Sequence, residues 1–216
     1  MKKSIIFLFC IVHCVLCINL YAQSRNPKYE AYIEEYSKFA IQCQNEYHIP
    51  ASITLAQGIL ESGAGESSLA KNCNNHFGIK CGSDWYGRST RHDDDRPNEC
   101  FRCYKSAKES YDDHAKFLQR QRYAFLFDYK ITDYKSWANG LRQAGYATDP
   151  KYPQKLINII ETYKLYELLN VTSPLWRSVT IRSSLSSSGP SSGLVSPPPS
   201  SSVSPLPPVL SSGLGS

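Results

Sequence analysis

Apolar residues recur at helical spacing over residues 29–47, where Tyr29, Tyr32, Ile33, Tyr36, Phe39, Ala40 and Cys43 fall on one face. His48-Ile49-Pro50 breaks that pattern. Pro50 suits the first turn of a second helix, over residues 51–61, with Ile53, Ala56, Ile59 and Leu60 turned inward. Ser62-Gly63-Ala64-Gly65 stops it, and a short helix follows near residues 66–71. Residues 76–81 read as a strand or a tight buried turn. Residues 85–104 are poor in helix formers and have a polar middle, Asp93-Asp94-Asp95-Arg96-Pro97-Asn98, which predicts a β-hairpin with an acidic tip. Helices are expected again over 106–120, 134–144 and 152–168, with a short piece near 123–128. The pattern describes an α+β domain, mainly helical with one small β-hairpin.

The two ends differ in kind from this middle. Residues 1–22 carry Lys2 and Lys3, then an apolar run, then Leu20-Tyr21-Ala22. The run falls short of the roughly 20 apolar residues a bilayer span needs, so it reads as a secretory signal peptide cut after Ala22. An uncleaved anchor is the alternative. Lipid attachment at Cys14 or Cys17 is disfavoured by the bulky His13 and Leu16 before them. Residues 171–216 are dominated by Ser, Pro and Gly, too poor in apolar side chains to offset ordering entropy, and read as a disordered tail. Residues 23–170 remain as one domain of ordinary size.

A formal charge of +5 hints at nucleic acid, but its distribution removes the hint. Residues 23–170 hold twenty Lys and Arg against nineteen Asp and Glu, a balance of +1, and the rest lies in the two ends. A near-neutral domain has no electrostatic footprint for DNA or RNA. Of eight Cys, five lie outside the signal segment: Cys43, Cys73, Cys81, Cys100 and Cys103. Two disulfides and one free thiol fit an exported chain. Cys81 follows the 77–80 segment and Cys100 lies on the returning hairpin strand, so these two are expected to pair. Cys43, Cys73 and Cys103 then share at most one further bridge. A zinc site at Cys100-Phe101-Arg102-Cys103 lacks a second Cys or His pair, and no metal or cofactor is expected.

Three features carry candidate chemistry. Glu61 ends an apolar helix, where desolvation and the negative end of the helix dipole both disfavour its charged form, as a proton donor at neutral pH requires. An ordinary acidic residue at a helix end is the plainer reading. The tip acids, Asp93 among them, can supply the second carboxylate that glycoside hydrolysis normally uses, or can simply be a solvated turn. Trp85, Tyr86, Tyr104, Trp137, Tyr146 and Tyr152 suit sugar stacking or core packing.

Several ordered segments together carry a resemblance. Pro50-Ala51-Ser52-Ile53-Thr54-Leu55-Ala56-Gln57-Gly58-Ile59-Leu60-Glu61-Ser62-Gly63 resembles the catalytic motif of family 73 glycoside hydrolases, the glucosaminidases that include bacterial autolysins and flagellar wall-cutting enzymes. Asn74-Asn75-His76-Phe77-Gly78-Ile79-Lys80, Phe101-Arg102-Cys103-Tyr104, Asp113-His114 and Gly145-Tyr146-Ala147-Thr148-Asp149-Pro150 extend the match across almost the whole folded region. The resemblance implies a lysozyme-like fold and hydrolysis of the β-1,4 bond after N-acetylglucosamine in peptidoglycan glycan strands. With the signal cut, the chain is expected to be secreted, periplasmic or held in the cell envelope, as a monomer with no stable membrane insertion. The resemblance places the general acid on Glu61 and a tyrosine of the reaction centre on Tyr146. Many relatives carry a hairpin Glu where this chain has Asp93-Asp94-Asp95. Counting along the first strand favours Asp93 for the second carboxylate, and substrate assistance by the sugar's acetamido group would need less from the protein. Asn75, Phe77, Trp137 and Asp94 are the expected substrate-binding residues. A catalytically silent wall-binding module, or a muramidase or lytic transglycosylase, are the alternatives. The Tyr146-Ala147-Thr148-Asp149 segment favours the glucosaminidase.

Overall fold

The structure, a computed structural model, describes residues 25–94 and 96–169. The expected signal segment and the Ser/Pro-rich tail lie outside the described residues. Six α-helices, two 3-10 helices and a two-stranded sheet are formed among them. Helix α1, Pro27–Tyr47, is started by Pro27 and by Asn26, whose side chain accepts from the Lys28 N–H at 3.0 Å. It ends at His48 in a left-handed conformation. The Gln44 side chain near that end accepts from the Ala51 N–H at 2.9 Å, so an otherwise orphaned donor of helix α2, Ala51–Ser62, is satisfied across the corner.

Helix α2 is the axis of the fold. It packs against α1, against α5 (Tyr134–Gln143), against α6 (Tyr152–Thr162) and against the last 3-10 helix, Leu165–Leu169. Every residue from Ala51 to Ile59 is buried, so the helix is covered on all sides; the single inward stripe expected from the sequence is too narrow a description. Partners on every flank explain this, and each fully buried Ile or Leu contributes about 2 kcal/mol to the core. Gly58 is required by one close approach: a β-carbon there would stand 2.5 Å from the Tyr32 hydroxyl oxygen.

The second half is built around the hairpin. Helix α3, Ser68–Cys73, leads through buried turns rather than a full strand, with a single bridge between Lys80 and Phe101. Strands β1 (Ser89–His92) and β2 (Glu99–Arg102) pair antiparallel, Ser89 opposite Arg102 and His92 opposite Glu99. Disulfides Cys81–Cys100 and Cys73–Cys103 tie the returning strand to the segment before it, and among the described residues Cys43 is left as a buried free thiol. Arg102, nearly fully buried, forks onto Asp113 of helix α4 (Ala107–Leu118) at 3.0 Å and onto Asp84 at 3.2 Å. The hairpin is thereby clamped to the helical body. The long final helix expected over 152–168 is instead two pieces, because Lys164 takes a positive φ of 53° after Tyr163 caps α6.

Candidate active site

Glu61 occupies the last turn of α2, which the local sequence terminates firmly. Gly63 adopts a left-handed conformation and the Ala64 N–H reaches back to the Ile59 carbonyl at 2.8 Å. The Ser62 hydroxyl donates to the Gly58 carbonyl and accepts from the Gly65 N–H at 2.7 Å. The helix end is therefore fixed, and Glu61 with it. Its side chain is partly buried, and Oε1 accepts from the Tyr152 hydroxyl of α6 at 2.8 Å. Tyr152 in turn accepts from the Gln57 amide at 3.0 Å.

Burial dominates the electrostatics. It pushes the Glu61 carboxyl up to about 7, with the Tyr152 hydrogen bond and the Lys155 charge acting against it and the Asp94 charge adding to it. Lys155 is held by Asp149 at 2.8 Å, so the segment after Tyr146 also fixes this cation.

The sequence-predicted residues separate into two groups. Glu61, Tyr146 and Asp94 are brought together. Tyr146 is buried with its ring 5.8 Å from that of Tyr152, and its phenol feels the Glu61 charge. Its loop is held open by Gly145 at φ 73° and pinned by Arg122, which donates to the Ala144 and Gly145 carbonyls. Asp94, half-buried at the hairpin tip, pairs with Lys80 at 3.0 Å, and Lys80 also pairs with Glu99 at 2.8 Å.

Asp93 is placed differently from the expectation. It is exposed, and Oδ1 accepts from the Asn98 N–H at 2.8 Å, closing the turn. The strand ends at His92, so the alternation that favoured Asp93 does not extend to the tip. Asp95 lies outside the described residues. Asn75, Phe77 and Trp137, expected to touch substrate, are interior residues. Asn75 donates to the Ile79 and Arg102 carbonyls at 3.0 and 2.9 Å and knits the hairpin to the body. Phe77 stacks on His114 with centroids 3.9 Å apart, and Trp137 sits edge-on to Phe127. All three have essentially no surface to offer a ligand.

Gln57 and Lys155 were not singled out as site residues by sequence reasoning, and Tyr152 was offered there only as an aromatic for sugar stacking or core packing. For Gln57 a signal existed: a polar residue four positions before Glu61, hence on the same face of an otherwise apolar helix. Among the described residues no group of three His, Cys, Asp or Glu side chains is arranged to hold a metal ion, and no helix is long and apolar enough to cross a membrane.

Comparison with known proteins agrees with this geometry. Residues 37–165 match the glucosaminidase family model, described as mannosyl-glycoprotein endo-beta-N-acetylglucosaminidase. The chain is 32% identical to the exo-glucosaminidase LytG of Bacillus subtilis over 211 residues, covering 87% of this chain and 74% of that protein. It is 28% identical to the peptidoglycan hydrolase FlgJ of Vibrio cholerae over 152 residues, 63% of this chain, but spans only 45% of that relative's length. Among solved structures it resembles the catalytic domain of the autolysin Auto from Listeria monocytogenes, with a TM-score of 0.57 and 30% identity, covering 67% of this chain and 89% of the other. The family match over residues 37–165 and these likenesses show that the chain is a member of the glucosaminidase family, the family 73 glycoside hydrolases.

Proposed function

We propose that this protein is a secreted peptidoglycan hydrolase that cleaves the β-1,4 bond after N-acetylglucosamine, with Glu61 as the general acid. The observation that carries this reading is the Glu61 carboxyl, raised to about 7 by burial at the end of α2. A carboxyl that keeps its proton near neutral pH can hand it to the glycosidic oxygen as the bond breaks. A wall-binding module has no use for an acid that burial makes costly to ionise.

The second carboxylate of the reaction is Asp94. Lys80 pairs with it at 3.0 Å, and its charge is felt at Glu61. Positive charge develops on the sugar ring in an oxocarbenium-like transition state, and a carboxylate on the opposite side stabilises that charge or activates the attacking water. Tyr146 packs behind the reaction centre, its phenol kept protonated by burial. Asn75, Phe77 and Trp137 shape the cleft from within, through the hairpin and the core. The two disulfides favour an oxidising compartment outside the cytoplasm.

Digestion of purified peptidoglycan, with mass spectrometry of the reduced products, tests the bond. The expected result is a new reducing end on N-acetylglucosamine, with Glu61→Gln showing no clearing on a zymogram. A new end on N-acetylmuramic acid, or a Glu61→Gln variant with near-normal clearing, would overturn the assignment.

A further inference from the structure

Gln57 is the one polar side chain in the last two turns of α2 before Glu61 for which packing offers no reason. It is wholly buried, with Ile53, Ala56 and Ile59 around it on the helix, and its Oε1 has no hydrogen-bond partner among the described residues. A buried amide with one unpaired end is destabilising relative to an apolar residue of the same size. A local violation of this kind marks a functional constraint. Among the described residues the single hydrogen-bond partner of its side chain is the Tyr152 hydroxyl.

That contact fixes the direction of a proton. An amide nitrogen has donors only, so Tyr152 must accept from Gln57. The phenol has one proton of its own, which then has to point at Glu61 Oε1, 2.8 Å away. With that proton already between Tyr152 and Oε1, a second one cannot sit on Oε1 facing the phenol. When Glu61 is protonated, its proton is confined to Oε2, which has no hydrogen bond among the described residues. We infer that Gln57 is a positioning residue that acts through Tyr152 to keep the acid proton of Glu61 on the oxygen free to give it away.

Without the Gln57 donor, the phenol can rotate and accept from a protonated Oε1, which parks the proton in the wall of the site. The protonated form of Glu61 gains a partner and its anion loses part of one. Lys155 on α6, Asp94 at the hairpin tip and the buried phenol of Tyr146 are the other charged or titratable groups that Glu61 faces, and none is altered by a change at Gln57. The inference rests on Glu61 being the acid.

Gln57→Met in the full chain keeps size and removes the donor. Infrared difference spectra over a pH titration report the Glu61 carboxyl directly, assigned by its loss in Glu61→Gln. The expected result is a midpoint higher by about half to one pH unit, with kcat down several-fold and KM unchanged. In a Tyr152→Phe background the same change should add nothing. A midpoint that stays within about 0.2 of wild type, or a shift that persists without the Tyr152 hydroxyl, overturns the inference. If Gln57→Met and Gln57→Leu both lose the fold, Gln57 is structural and the inference also fails. Hydrolysis at normal rate by Glu61→Gln would instead remove the acid assignment and leave the titration result standing.

Discussion

At the scale of single residues, Glu61 sits in surroundings that oppose its charge, and that opposition has a thermodynamic signature. Its ordinary value is 4.5, and the folded chain raises it to about 7. Below pH 4.5 the carboxyl is protonated folded and unfolded, and contributes no pH dependence. Between 4.5 and 7 the folded chain holds a proton that the unfolded chain has lost, so stability falls as pH rises. Above 7 the penalty is complete, on the order of 3 kcal/mol at 1.36 kcal/mol per pH unit. Glu61→Gln should therefore match wild-type Tm near pH 4.5 and exceed it by several degrees at pH 8. Calorimetry at the two pH values checks this; equal offsets at both would mean that the carboxyl is not in an unfavourable site. The place of Glu61 at the end of an apolar helix made it a candidate, but an ordinary helix-end acid was the plainer reading, and only the resemblance to the family motif singled it out. Its partner Tyr152 stands 91 residues away in sequence, and no local pattern announces which distant phenol will meet it.

At the scale of elements, the hairpin is where pattern and structure part company. Its strands follow from the poor helix formers, and the Cys81–Cys100 pairing follows from two cysteines facing across the entry to a loop. The use of its acids does not, because alternation holds only as far as the ladder does and β1 stops at His92. Beyond it, Asp93 bends back to cap Asn98 while Asp94 turns inward to Lys80. These placements predict unequal substitutions. Asp93→Asn keeps an oxygen able to accept from the Asn98 N–H and should stay within about twofold of wild-type turnover. Asp94→Asn removes the charge proposed as the second carboxylate and should lower kcat by about tenfold to a hundredfold. Turnover of the two variants on peptidoglycan decides the matter. If both remain near wild type, the tip is a solvated turn and the acetamido group of the substrate supplies the second role. Helix α2 shows the complementary limit: its buried face was legible, but complete burial depends on α1, α5, α6 and the last 3-10 helix closing around it, which no single window of sequence displays.

For the whole molecule, the five cysteines among the described residues form two disulfides and leave one over, and where the fold puts it matters. Cys43 is sealed in the core under α4, its thiol against the Tyr111 carbonyl at 3.6 Å, and burial pushes it up to about 12. Only a thiolate attacks a disulfide, forming a new S–S bond as the displaced sulfur leaves as thiolate, so the native protein holds its potential attacker inert. Unfolding removes that restraint at a stroke: the freed thiol returns to its ordinary value of 9.0 and meets Cys73–Cys103 and Cys81–Cys100 on a loose chain. Heating past the transition at pH 8 should then leave a mixture of mispaired species, while Cys43→Ala should recover its native pairing on cooling, as peptide mapping without reduction would show. Full recovery by the wild-type chain would contradict this. The compact state thus acts as custodian of its own covalent map, and the lifetime of the enzyme is set by how rarely the core opens rather than by how strongly its two cross-links hold.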